Sequence, residues 1–548
     1  MDISDQNPIR LVLDGKHLTL DNVVKIARTP GSVISISDES KLKIKHSREW
    51  VDQVQKSGEP IVYGINTGFG SKASVSISKE KLKDLQRNLI MSHSAGTGKP
   101  LPIDVVRVAM LMRANTLAKG HSGIRLEVVD TLLQMLERGV TPWIPEQGSL
   151  GASGDLAPLS HLALVLSQGM VDDSRQNSGR AYYYHRDVEE WELLSGWEAM
   201  QFAGIPRIVL EAKEGLALNN GTQISTALLA LAMYDAIEIV KQADIAMAMS
   251  LEALQGISSA FREELHGLRP HPGQVKTAAN IRRLTAGSRL LDQHPEKVQD
   301  AYSLRCHPQV MAGVRDALGY IMNVLNIEMN ATNDNPIIFP DMPGLNKAIS
   351  GGNFHAQPIA FGADFLSIVL CEVGNIAERR IFRMSDKSLN GGLPSFLIDN
   401  DGLESGLMLA QYTAASLVSE NKTLSHPASV DSIPTCENQE DHVSMAPIAA
   451  RKARIILENV QKIVAIELMY AAQALDLRLK KKGQRMSDHS DAEKLFGAGT
   501  LTAYRKLREV VPFLDNDRPI YRDIDIILEL IKSGKLLEAV EREIGLLE

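Results

Sequence analysis

Cysteine is scarce: Cys306, Cys371 and Cys436 are the whole supply in 548 residues. Three scattered thiols cannot build a disulfide framework, and no Cys-x-x-Cys pair offers a structural zinc site. Aromatic residues are also few, at 5% of the chain. Strands of sandwiches and barrels want β-branched and aromatic side chains, so this poverty beside plentiful Ala and Leu favours packed helices. There is no basic excess either, since 59 Lys and Arg face 67 Asp and Glu for a net charge of −8. A polyanion partner such as nucleic acid is therefore not expected. The start, Met1 to Asp5, carries acids and lacks the basic and apolar regions of a signal peptide. Charge-free stretches such as Leu156 to Val171 are broken by Pro158, Ser160, His161 and Gln168, and none is expected to supply the roughly 20 apolar residues of a membrane span. These absences together predict a soluble protein of a reducing compartment, the cytoplasm, with no membrane partner.

What is present is ordinary globular composition, 44% hydrophobic and 23% charged, which excludes disorder as the main state. Length alone suggests about three or four domains. Proline placement organises the chain more sharply. Pro is absent from Arg207 to Arg269, Gln309 to Asn335, Ile359 to Leu393 and Ile448 to Val511. An interior proline costs a helix about 3 kcal/mol, so these are the windows for long helices. Within them Ile456, Val460, Ile463, Val464, Leu468, Ala471, Ala472 and Leu475 recur at three- and four-residue steps, one apolar face of a helix. Leu228 to Leu254 reads as a helix buried nearly all round, and several such helices would pack as a bundle. The first two hundred residues are mixed, with turn signals at Gly64, Gly68, Gly70 and Gly148, and the polar tract Val171 to Glu190 reads as a surface excursion. The basic run Lys41 to Arg48 and the lysines at 480 to 482 read as solvated faces, and the last sixty residues as amphipathic helices.

Common enzyme signatures fail. Gly68-Phe-Gly70-Ser-Lys-Ala73 has no surrounding βαβ unit or downstream acid for dinucleotide binding. Gly98-Lys99 runs into Pro100, so it is no phosphate loop, and Ser153 has Asp155 where a nucleophile elbow needs glycine. No His-Glu-x-x-His is present for a zinc protease. One segment remains, Gly148-Ser-Leu-Gly-Ala-Ser-Gly-Asp-Leu-Ala-Pro-Leu-Ser-His161. Its bland reading is a tight turn before a helix, with Asp155 as cap and Pro158 in the first turn. That turn also crowds the backbone around Ser153, where an amide nitrogen can approach a carbonyl two residues earlier.

This segment resembles the active-site signature of the aromatic amino acid ammonia-lyases, the family of histidine, phenylalanine and tyrosine lyases and related aminomutases. The resemblance continues through Tyr63–Gly70, Glu214–Thr222, Ala301–Cys306, Asn333–Pro336, Ser350–His355 and Gln439–Met445, in family order. It implies a mostly α fold of the fumarase/aspartase-like type: a mixed N-terminal part over 1–205, a central long-helix bundle over 206–480 and C-terminal helices over 481–548. These would act as one catalytic unit. It further implies that Ala152, Ser153 and Gly154 cyclise unaided. The glycine nitrogen attacks the alanine carbonyl, two waters leave, and 4-methylidene-imidazol-5-one (MIO) results, with no metal and no dissociable cofactor. The assembly implied is a homotetramer whose active sites are shared between subunits, acting on a small amino acid.

The roles that follow are those the resemblance implies. Tyr63 is the base for the β-proton, which requires that its pKa of about 10 be lowered. Tyr302 lies on a closing loop, and Arg305 clamps the substrate carboxylate with its two-pronged guanidinium. Asn220 orients the prosthetic group and the substrate, Phe354 keeps the group dry, and Gln309 completes the polar network. Asn219, preceding Asn220, departs from the apolar residue usual in the family. The substrate's side-chain end is read by Ser92-His93 and Glu440, which look like the histidine-specific set. A carboxylate and a histidine can bond both nitrogens of an imidazole. The expected reaction is thus deamination of L-histidine to trans-urocanate. Tyr412 argues the other way, resembling tyrosine enzymes, so a tyrosine or phenylalanine ammonia-lyase or a tyrosine 2,3-aminomutase is the alternative.

Overall fold

The computed structural model describes residues 9–170, 175–399, 402–481 and 492–548. Met1 to Asp5, the first four residues of the polar excursion, and Lys482 therefore lie outside the described residues. The fold is mostly α, as expected. Its longest helices are Gln223–Ala253, His307–Glu328, Gln357–Ser385 and Ala446–Lys481. Each lies almost wholly within one proline-free window. Pro308, Pro358 and Pro447, which bound three of those windows, each sit one residue inside a helix start. There the missing N–H is one the helix would leave unbonded anyway.

The chain forms two compact units. The first comprises Met1–Leu231, Met322–Asp364 and Pro427–Arg451, and the second Ala232–Ile321, Phe365–His426 and Lys452–Glu548. The units interleave along the chain, so parts drawn at 205 and 480 do not coincide with them.

In the first unit, Arg10–Leu13 pairs in parallel with Val33–Ile36. Thr19 and Ser37 cap the helices Leu20–Arg28 and Asp38–Ser57 with their hydroxyls. Among the described residues, every strand lies in this unit, which explains the mixed character of the N-terminal sequence. The excursion needs correcting from Arg180 onward. Arg180–His185 and Glu190–Ser195 form an antiparallel hairpin whose first strand also pairs with Val140–Pro142. Ala181 is fully buried in it, so the tyrosine run is structural. Arg48 is also no solvated residue: its side chain is 6% exposed and pairs with Asp52 and Glu211.

In the second unit, all eight apolar positions expected on the Ala446–Lys481 face are buried. The C-terminal helices are Ala498–Arg508, Ile520–Lys532 and Lys535–Ile544. Two helices, Gln223–Ala253 and Gln357–Ser385, are long and apolar enough to cross a membrane by length and composition, contrary to the sequence expectation. Their apolar windows are 78% and 61% buried within the fold, as core helices are.

Candidate active site

In the first unit, the chain turns sharply at the glycine-rich segment before entering the helix Leu156–Leu166. Gly151 and Gly154 bridge each other across Ala152 and Ser153, and Gly154 also bridges Gly221. Gly154 has φ +75°, and a Cβ there would lie 2.2 Å from the Gly221 carbonyl oxygen. Gly221 is itself held at φ +149°, where a Cβ would meet Arg113, Gln223 and Asn333. Only glycine satisfies both positions. The turn is thus pressed against a second glycine from the Glu214–Thr222 segment, which gives both motifs a shared steric cause.

Asp155 departs from its expected role. It stands at the cap position, yet its side chain makes no cap bond to its own helix. Its carboxylate instead accepts from the Ser225 N–H and hydroxyl, both at 2.8 Å, in the first turn of Gln223–Ala253. The Asp155 N–H donates to the Gly221 carbonyl at 2.6 Å. Burial pushes the Asp155 carboxyl up to about 6, against the hydrogen bonds from Ser225. Behind Gly221, the buried Arg113 donates to the carbonyls of Ala217 and Asn220. Gln223 donates to Asn333, and Asn333 to Thr222. The Asn333–Pro336 motif therefore braces the cradle from behind.

Three expected site residues meet the triplet directly or at one remove. Asn220 donates from Nδ2 to the Ser153 carbonyl at 2.6 Å, while its buried Oδ1 has no partner. The Ser153 hydroxyl donates to Glu440 Oε1 at 2.8 Å. Thr435 donates from Oγ1 to the other carboxylate oxygen, also at 2.8 Å. His93 ends the helix Leu82–His93, with Nδ1 at 3.0 Å from the Ser92 hydroxyl. A cavity of about 400 Å³ is lined by His93, Ala152, Gly154, Thr435 and Glu440. Burial holds the His93 imidazole below its ordinary pKa, partly offset by a bond to the Leu89 backbone and by Glu440. A neutral imidazole that can donate or accept thus shares the cavity with Glu440.

The Tyr63 hydroxyl accepts from the Gly70 N–H at 3.2 Å, and the phenol is within the electrostatic reach of Glu440. The expectation that its surroundings lower its pKa is not met within this unit. Burial pushes the phenol up, the Gly70 bond opposes that, and Glu440 and Cys436 add to the rise. Phe354 is half-buried; its neighbour His355 stacks on His442, two residues past Glu440, with ring centroids 5.2 Å apart. Asn219, the family departure, donates to Ser160 at 3.1 Å and so is accommodated inside.

The remaining expected residues belong to the second unit. Tyr302 is 71% exposed, and the Arg305 guanidinium lies 4.6 Å from its ring. Arg305 Nε donates to the Asp300 carbonyl at 2.9 Å. Gln309 has a buried Oε1 without a partner, and Tyr412 is 59% exposed on the helix Met408–Leu424. The structure does not gather these four at the triplet within one unit.

The sequence profile of aromatic amino acid lyases matches residues 18–509. The chain belongs to the aromatic amino acid lyase family. It is a carbon–nitrogen lyase with the helical fold of that family. A protein named histidine ammonia-lyase from Caldanaerobacter subterraneus is 52% identical over 98% of this chain and 100% of its own length. The crystal structure of histidine ammonia-lyase from Trypanosoma cruzi matches with TM-score 0.84 and 41% identity, covering 98% of this chain and 96% of that one. That of tyrosine aminomutase from Streptomyces globisporus matches with TM-score 0.87 and 37% identity, covering 99% and 100%.

The lyase-family prosthetic group fits the residues present. Cyclisation would retain the Ser153 carbonyl oxygen, which Asn220 already holds, and would remove the hydroxyl that Glu440 now holds. The buried Oδ1 of the same Asn220 amide, without a partner, is a spare acceptor. Motifs do not mark Arg113 and Gln223, whose partners lie about a hundred residues away, nor Thr435, which bonds Glu440 five positions on across a loop that begins outside the Gln439–Met445 motif.

Proposed function

We propose that this lyase converts L-histidine to trans-urocanate and ammonia, using MIO formed from Ala152, Ser153 and Gly154. The observation that carries the reading is the pairing of Glu440 and His93 in the cavity that Ala152 and Gly154 line. An imidazole side chain offers one N–H and one bare nitrogen, which a carboxylate and a second histidine can bond together. Relatives named histidine ammonia-lyase support the same substrate. MIO supplies an electrophile that turns the substrate amine into a better leaving group.

The chain's own residues do the rest. Asn220 donates to the oxygen of Ser153 and so draws electron density from the adjoining carbon. Tyr63 removes the β-proton, which needs a charge environment more positive than its own unit provides. Arg305 clamps the carboxylate, Tyr302 assists proton transfer, and Phe354 excludes water. Gln309 and Tyr412 complete the polar network and the side-chain end. The reading includes a homotetramer with sites shared between subunits, and a reducing, cytoplasmic setting in keeping with the free thiols of Cys306, Cys371 and Cys436.

A panel of L-histidine, L-tyrosine and L-phenylalanine, followed by absorbance of the conjugated product and by chromatography for β-amino acids, tests this. Turnover of tyrosine or phenylalanine without histidine overturns it, and a β-amino product identifies an aminomutase.

A further inference from the structure

The segment Thr435–Glu440 is a short closed loop. The Thr435 N–H donates to the Glu440 carbonyl at 2.9 Å, and the Glu440 N–H returns to the Thr435 carbonyl at 3.3 Å. Between them Cys436, Glu437 and Asn438 all adopt positive φ, at 52°, 55° and 66°. Three consecutive non-glycine residues in that region are costly, and such strain persists only where surrounding structure enforces it. Part of the enforcement is visible. Gly70 packs so tightly on the loop that a Cβ there would lie 2.6 Å from Cys436 Sγ. The loop's effect is to bring the Thr435 hydroxyl onto its own sixth residue.

Glu440 Oε2 is thereby occupied by Thr435 Oγ1 at 2.8 Å, and Oε1 by the Ser153 hydroxyl at 2.8 Å. A carboxylate held at neither oxygen would turn freely, because the terminal torsion of Glu is broad and two-fold. Cyclisation expels the Ser153 oxygen as water. One bond is then lost and the other kept.

We propose that Thr435 is a specificity-determining positioning residue. It keeps Oε2 engaged, so that Glu440 presents a single free oxygen, Oε1, to a ring N–H of the substrate. The proposal rests on the histidine reading of the site. A phenyl ring has no donor for that oxygen, so fixing the carboxylate strengthens the preference for an imidazole.

The test compares the natural protein with Thr435→Val, which keeps the shape without the hydroxyl, and Thr435→Ser, which keeps the hydroxyl. KM and kcat for L-histidine, the Kd of trans-urocanate by calorimetry, and intact mass are measured for all three. In Thr435→Val, KM and Kd are expected to rise about tenfold, the effect of losing one hydrogen bond to a charged group, with kcat within about twofold. Thr435→Ser is expected to restore both, and all three masses to show the loss of two waters. Unchanged KM and Kd in Thr435→Val, or equal impairment in Thr435→Ser, overturns the proposal while leaving the substrate reading intact. So does a Thr435→Val mass that retains the two waters, which would place the hydroxyl in maturation. A natural protein that neither turns over histidine nor binds trans-urocanate overturns the substrate reading, and this proposal with it.

Discussion

The Ser153 hydroxyl donates to Glu440 at 2.8 Å although 287 positions separate them in the chain. In the proposed cyclisation the hydroxyl would leave, and the carboxylate is the candidate reader of the substrate ring. Each is placed by the other before any substrate arrives. In the proposed function, cyclisation would therefore vacate the acceptor that recognition needs.

Replacing Ser153 by Ala is expected to abolish turnover, by at least about a thousandfold, because no electrophile forms. Its intact mass should lack the loss of two waters, while its melting temperature stays near that of the natural protein. Glu440→Gln keeps an acceptor for Thr435 but removes the charge. Its kcat/KM for L-histidine should fall about 10- to 100-fold, the range for a hydrogen bond to a charged group. Full activity in Ser153→Ala would remove the triplet from the mechanism.

Much of this arrangement was legible in the sequence because its causes are local. The proline-bounded windows located the long helices, since proline acts on its own turn. The triplet, Asn220 and Glu440 stood inside short motifs. Asp155 reads as a cap in the sequence because its partner, Ser225, lies seventy positions on. Arg48 reads as solvated in the sequence because Glu211 and Glu214, which pair with it, come from a distant segment. Tyr302, Arg305, Gln309 and Tyr412 were assigned by resemblance, and folding of one chain places them in a different compact unit from the triplet.

Gly154→Ala addresses the cradle. The new methyl would need the space of the Gly221 carbonyl, 2.2 Å away, and φ +75° would strain any alanine. One of the two backbones must shift. Stability is expected to fall by about 1–3 kcal/mol, and the mass to retain the two waters in most molecules. Urea unfolding and intact mass read these separately. A fully cyclised Gly154→Ala protein of unchanged stability would show that compression at Gly221 is irrelevant.

His161 gives the acid side of the stability profile. Its Nε2 accepts from the Gly96 N–H at 3.1 Å, and burial pushes its imidazole down to about 4 from 6.5. On acidification the unfolded chain takes up this proton first. The stability His161 provides is complete above about pH 6.5 and is lost as pH falls toward 4. Asp155, raised from 3.8 to about 6, acts oppositely: its contribution is present at low pH and lost as pH rises through 6. Comparison within one background separates the two. His161→Gln should show a shallower decline of melting temperature between pH 6.5 and 4.5 than the natural protein. Parallel declines would mean that the imidazole is protonated in the fold at little cost.

Lys213 and Asp334 form an ion pair at 2.6 Å with both side chains fully buried. Ser122 satisfies the second Asp334 oxygen at 2.9 Å. Attraction and desolvation nearly cancel in such a pair, so its net contribution is small, but removing one partner strands a charge. Lys213→Met is expected to destabilise the protein by about 3–5 kcal/mol. The double variant Lys213→Met with Asp334→Leu should recover a substantial part of that loss, because no buried charge remains. Denaturant midpoints at constant slope decide the matter. If the double variant is less stable than Lys213→Met alone, Asp334 stabilises the fold through partners other than Lys213, such as the Ser122 hydroxyl.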